Sequence, residues 1–192
     1  MSKAWIAFLA AVLAVGSSLA MADDWKIDPN HSTAQFAVRH LAVSTVRGAF
    51  TKVSGTAQYD PADPSKTSID ATIDAASVDT RVEMRDKDLR SPNFFDVEKY
   101  PTITFKSKKA ETAGEGKMKI TGDLTMHGVT KEVVLDVDGP SEAIKDGKGG
   151  SRIGASATTK LNRRDYGVNG GATVAGDEIS ITIDVELVKP GK

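Results

Sequence analysis

Cysteine is absent from the 192-residue chain. That excludes thiolate nucleophiles, cysteine-ligated metals and dithiol redox chemistry, and a domain of this size does not depend on disulfides. With no thiol to oxidise, the composition is silent on redox compartment. An excess of charge is also missing. The 25 basic and 26 acidic side chains are interspersed, leaving no basic stripe for nucleic acid and no polybasic face for an anionic membrane. The densest basic cluster, Lys106, Lys108 and Lys109, reads as a solvated strand end. Catalytic signatures are lacking as well. There is no Gly-x-Ser-x-Gly elbow, Gly-rich phosphate loop, nucleotide fingerprint or calcium loop.

Long apolar runs are missing except at the start. MSKAWIAFLAAVLAVGSSLAMA opens with Lys3, continues apolar from Ala4 to Val15, and ends on the small-x-small pattern Ala20-Met21-Ala22. This reads as a signal peptide cleaved before Asp23, because the run is shorter than the ~20 residues a membrane-spanning helix needs. No cysteine follows to carry a lipid. Cleavage would leave one domain, residues 23–192, long enough to bury a core without staples.

What the chain does have is alternation. Ala34, Phe36 and Val38 alternate with polar neighbours, as do Ile69, Ala71, Ile73 and Ala75. The pattern recurs in Met118, Ile120, Leu124 and Met126 with Gly122 in register, in Ile153, Ala155, Ala157 and Leu161, and from Ile179 to Leu187. Period two means antiparallel strands with one apolar face. Turn residues punctuate the runs: Asp60-Pro61, Asp63-Pro64, Gly114, Gly116, Gly139-Pro140 and Gly147 to Gly150. About eight strands result, which suits a closed barrel or a two-sheet sandwich. One short helix is expected from Val82 to Leu89, with Thr80 and Glu83 as a capping box and Ser91-Pro92 as its stop. Ser141 to Ser151 reads as a mobile hairpin loop. Several inward positions are small (Ala71, Ala75, Ala155, Ala157, Gly122). An eight-stranded barrel with such residues either holds one slim ligand or is filled from other strands, and the pattern leaves both open.

The three histidines, His31, His40 and His127, are the conceivable metal ligands. An unbroken strand would send His31 and His40 to opposite faces, and His127 sits where a hairpin turn begins, so each reads as a strand-end residue. Asp28, His31 and Ser32 lie close together in DPNHS, and a turn entering the first long strand accounts for them. Asp86 and Asp88, set among Arg85, Lys87 and Arg90, read as a solvated helix face. Arg163, Arg164 and Asp165 could meet a ligand head group or latch a strand end.

The order of these pieces resembles the YceI-like family of bacterial, usually periplasmic, lipid- or polyisoprenoid-binding proteins. The resemblance runs through Trp25-Lys26-Ile27-Asp28, His31-Ser32, Phe36-Ala37-Val38 and His40, then Gly48-Ala49-Phe50 and Ser77-Val78-Asp79-Thr80. It is densest in Arg85-Asp86, Leu89, Ser91, Phe94-Phe95-Asp96, Tyr100-Pro101 and Ile103 to Ser107. Gly122 to Thr125, Gly128 to Lys131, Arg164 to Gly167 and the last strand complete it. The glycine- and charge-rich loop Ser141 to Ser151 departs from the pattern.

The resemblance implies an all-β, extended lipocalin-like antiparallel barrel of about eight strands, with one short helix at a barrel end. Its tunnel would hold one long apolar chain, an isoprenoid, a quinone tail or a fatty acyl group. It implies a binding protein and not an enzyme, with no metal and no cofactor. Tunnel residues are then expected at Phe36, Val38, Phe50, Ile73, Leu89, Phe94, Phe95, Phe105, Ile120, Leu124, Met126 and Ile181. Polar head-group candidates are His31, Arg85, Asp86 and Arg164. Phe94 and Phe95 would turn inward after the helix to line or close the tunnel. The expected partner is a long-chain lipid or isoprenoid, with no nucleic acid and no stable membrane insertion; a homodimer is left open. Two rival readings remain: a secreted hydrolase using His31 or His40 as its base, and a barrel that docks onto a membrane redox protein.

Overall fold

The computed structural model describes residues 23–191, so the expected signal segment lies outside the described residues. The first alternating run forms β1 (Asp23–Ile27) and β2 (Thr33–His40), two halves of one wall strand interrupted by the Asp28–Ser32 turn. The chain returns as β3 (Ser44–Phe50) beside β2 and β4 (Val53–Tyr59) beside β1. β5 (Ser68–Asp74) pairs with β4, and the two-residue β6 (Val78–Asp79) pairs with β3. β7 (Thr102–Thr112), β8 (Lys117–Met126) and β9 (Val129–Asp138) continue from β5 as a meander. After the short β10 (Ile144–Lys145), β11 (Ser151–Asn162) joins β9 to β12 (Ala175–Lys189), and β12 pairs back onto β1 and β2.

All of these pairings are antiparallel. With β1/β2, β3/β4 and β5/β6 each taken as one broken strand, eight strands close on themselves. The sheet is therefore a barrel and not a sandwich. The break at Asp28–Ser32 is held by Ser32, whose Oγ donates to the Glu186 carbonyl and accepts from the Glu186 amide at 3.1 Å. β12 can thus carry β1 and β2 in succession along one edge.

The helix α1 (Glu83–Arg90) covers one end of the barrel, one residue later than expected and capped differently. Val82 occupies the N-cap position and contributes no side-chain bond. The Thr80 amide and hydroxyl instead both donate to Asp86 Oδ1, at 2.9 and 2.5 Å. Asp86 is buried, 6% exposed, which corrects its expected place on a solvated face. Burial is tolerable because the carboxylate collects two short hydrogen bonds.

At this helix end Phe50, Ala75, Val78, Ile103, Met126, Tyr166 and Val168 form a buried cluster, with Leu89, Phe94 and Phe95 packed against it. Two further clusters lie along the barrel: Trp25, Ile27, Ala34, Val53, Ala57, Ile153 and Leu187 on one side, and Ala110, Met118, Ile120, Leu135 and Val137 on another.

Candidate functional site

The inward rows leave space between these clusters. Cross-strand pairing places Ala71 beside Phe105 and Phe105 beside Leu124 on the inner face. The Phe105 ring lies over Gly122: a Cβ added there would come within 2.5 Å of Phe105 Cζ. Phe36 lies over Gly48 in the same way, at 2.5 Å. Both rings are plated on the wall because glycine offers no side chain to prop them away from it. Ala71, Ala155 and Ala157 also project little. The result is a cavity of about 190 Å³, lined almost wholly by apolar side chains. It exceeds the roughly 150 Å³ of an apolar cavity that stays dry and binds benzene. Its lining along β12 runs from Ile181 to Leu187, about 20 Å of strand and about 15 Å along a tilted barrel axis.

Eight of the expected tunnel residues line this cavity: Phe36, Phe50, Ile73, Phe105, Ile120, Leu124, Met126 and Ile181. Val38, Leu89, Phe94 and Phe95 do not. Val38 pairs with Val46 and Ile179 beyond the Phe36 ring, towards the helix end. Leu89, Phe94 and Phe95 are held by the tight turn after α1, where the Phe95 amide donates to the Leu89 carbonyl and the Phe94 amide to Ser91. The rings Phe36, Phe50 and Phe95 follow one another at 5.8 and 5.5 Å, the second contact edge-on. The adjacent phenylalanines therefore stopper the barrel, and the chain's polar approach to them is the helix that covers that stopper. Ala34, Val53, Ala57, Ile69, Val133, Leu135, Ala155, Ala157 and Ile183 are lining residues the sequence reading did not single out as ligand-binding. Most share the period-two register of those it did, so the signal was present in the same alternation.

None of the four head-group candidates lines the cavity. Arg85 is committed to Thr80, donating from Nε to Oγ1 at 2.8 Å and from Nη2 to the carbonyl. Asp86 is its neighbour in the same knot. Arg164 donates to Asp177 Oδ1 at 2.6 Å on the outside of the barrel. His31 is exposed, its Nδ1 3.0 Å from Asp28 Oδ2. The hydrogen bond from His31, helped by the Asn30 amide and Arg152, holds the Asp28 carboxyl below its ordinary range.

Asp28, His31 and Glu186 together have metal-like spacing, their ligand atoms within 4.8 Å of one another. The Arg152 guanidinium, however, already contacts both carboxylates and supplies the positive charge there. His40 lies at the end of β2, and His127 sits in the β8–β9 turn against Tyr100, with Nδ1 3.2 Å from the Tyr166 carbonyl. Arg163 is a latch. It is 4% exposed and donates to the carbonyls of Val168, Gly170, Ala175 and Gly176. Burial pushes its guanidinium below the usual value, partly offset by Asp177.

Residues 25–187 match the YceI-like domain. The chain belongs to the YceI-like family. A UPF0312 protein of Ectopseudomonas mendocina is 37% identical over 185 residues, covering 93% of this chain and 96% of the relative. Among solved structures, the YceI protein of Campylobacter jejuni superposes with a TM-score of 0.69 at 36% identity, covering 79% of this chain and 89% of that one. A polyisoprenoid-binding domain from Saccharophagus degradans superposes with a TM-score of 0.65 at 17% identity, covering 86% of this YceI-like chain and 98% of that one, a likeness of fold. Among the described residues no helix is long and apolar enough to cross a membrane.

Proposed function

We propose that this YceI-like protein is an exported, periplasmic carrier or sequestering protein for one long-chain apolar molecule, a polyisoprenoid, quinone or fatty acyl chain. The observation that carries the reading is the apolar cavity inside the barrel, stoppered at the helix end by Phe36, Phe50 and Phe95. The solved polyisoprenoid-binding domain with this fold adds a precedent for the architecture. Export is supported by the basic, apolar and small-residue regions of residues 1–22.

The mechanism is burial. At ~0.8 kcal/mol per methylene, a chain of about twelve such groups gains about 10 kcal/mol before the cost of ordering it. The lining contains no carboxylate, histidine, lysine or arginine to act on a bound chain, so selection would be by length and shape. His31 and Ser32 do not assemble as a base and nucleophile, since both sides of the Ser32 hydroxyl are engaged with the Glu186 backbone.

Native mass spectrometry of the mature protein from its own periplasm, followed by organic extraction, tests the reading. The expected result is a stoichiometric long-chain adduct. A clean apo mass, with no uptake of added quinone, isoprenoid or fatty acid, would overturn it.

A further inference from the structure

Between β9 and β11 a stretch of the barrel wall lacks a backbone ladder. β8 and β9 are paired from Val129 to Asp138, and β11 and β12 from Ser151 to Asn162. Between β9 and β11 the ladder covers only Asp136–Asp138 against Ser156–Thr158. Beyond it, residues 132–135 of β9 and 159–162 of β11 face each other without a ladder, and Lys131 lies just past the end of β11. Val133 and Leu135 on one side, and Thr159 and Leu161 on the other, line the cavity, so this seam lies directly over it.

One ion pair spans the seam. Lys131 Nζ is 3.9 Å from Asp165 Oδ2, with the two side chains 46% and 54% exposed. Lys131 is paired with Leu124, which puts it at the end of the inner-face row Ala71, Phe105, Leu124. It is the one charged side chain in the inward rows of β8, β9 and β11. A cation at that register, at the lip of an apolar cavity, has a use there. It lets the end group of a cargo stay at the surface while the chain goes inside, avoiding the burial of a charge. The present partner is easily exchanged, because a half-exposed pair at this separation contributes little.

We propose that the β9–β11 seam is where cargo enters and leaves, and that Lys131 binds its anionic end group, a carboxylate or a phosphate, in exchange for Asp165. The inference rests on the carrier reading. The β11 side is fixed by the Arg163 latch, which leaves the exposed half of β9 to move.

The absence of cysteine makes the test clean, since any introduced pair is unique. Extending the β9–β11 register sets Val134 opposite Lys160, both exposed and facing outward. Val134→Cys with Lys160→Cys is bridged by a bis-maleimide and scored by mass. Asp138→Cys with Ser156→Cys, bridged across the paired part of the same wall, is the control. Uptake is followed with a fluorescent fatty acid and the fluorescent alcohol of equal length. The seam bridge is expected to slow uptake of both probes at least tenfold, the control bridge less than twofold. Separately, Lys131→Gln is expected to weaken binding of the acid about tenfold and leave the alcohol unchanged, with Lys131→Arg restoring the acid. Undiminished uptake by the seam-bridged protein would overturn the portal, and equal effects of Lys131→Gln on both probes would overturn the end-group site. Failure of the unmodified protein to take up either probe would overturn the carrier reading, and the seam with it.

Discussion

The helix end and the middle of the barrel are built from the same strands and have opposite interiors. At the helix end the inward residues are large: Phe50, Ile103, Met126 and Tyr166 interlock with Phe94 and Phe95 brought in from outside the sheet. At mid-strand they shrink. β4 passes from Val53 through Gly55 to Tyr59, β8 from Met126 through Gly122 to Met118, and β5 from Ile73 through Ala71 to Ile69. The waist of small side chains is what opens the cavity. Alternation makes the wall; side-chain size along each strand decides where the wall encloses space. The polar groups divide in the same way. Buried charges belong to the stoppered end, where Asp86 and Arg163 tie loops down, and the cavity lining has none.

The sharpest way to break the stoppered end is Arg163→Met. Four carbonyls, two in the loop after β11 and two at the start of β12, lose their donor together. Leaving such groups unpaired costs about 3–5 kcal/mol in all, the sums being non-additive. Urea denaturation should show that loss as a lower midpoint with an unchanged slope. A loss below about 1 kcal/mol would mean that the loop from Tyr166 to Ala175 is held by its apolar contacts and not by the guanidinium.

Phe95→Ala and Ala157→Leu set the two regions against each other. Phe95 is a stopper ring, and its removal should cost about 2–3 kcal/mol and extend the cavity towards α1. The carrier reading then expects a preference for longer chains. Ala157 faces the empty waist, so a larger side chain there fills space without displacing neighbours. Stability should change by less than about 1 kcal/mol while chain binding falls at least tenfold. Calorimetry with fatty acids of graded length reads both. Loss of stability with Ala157→Leu, or no loss with Phe95→Ala, would reverse the assignment of filled and empty ends.

Much of this division was legible before the fold was seen. Period two identified the wall strands, and the small inward residues raised a cavity as one of two outcomes. What alternation could not decide was whether rings from other strands fill the space, because that depends on Phe105 and Phe36 meeting Gly122 and Gly48 across the sheet. Register between strands is a long-range property that a single run does not carry. The head-group candidates lie off the cavity for a related reason. Arg85 and Asp86 are conspicuous as charged residues shortly before an aromatic pair, and Arg164 as part of the Arg163–Asp165 cluster, yet each is committed to a local partner. Lys131 drew no notice as a site residue because its significance lies in facing inward beside an unpaired edge.

The smallest effect expected concerns the polar cluster on the outside of the barrel. His31, the Asn30 amide and Arg152 hold the Asp28 carboxyl below its ordinary value near 3.8. A carboxyl lowered by folding contributes stability that is complete above the unfolded pKa and is lost as pH falls through the folded one. The contribution from Asp28 is therefore intact at neutral pH and decays below about pH 4. Asp28→Asn should lower the urea midpoint slightly and uniformly above pH 5, with the difference from the parent protein shrinking as the carboxyl protonates below about pH 4. The cluster lies at the surface, with the His31 and Arg152 side chains 60% and 34% exposed, so this difference should be much smaller than that of Arg163→Met. If the two were equal, the break in the β1/β2 strand would depend on the ion cluster. A small difference assigns that role to Ser32, whose hydroxyl bonds both backbone groups of Glu186 beneath it.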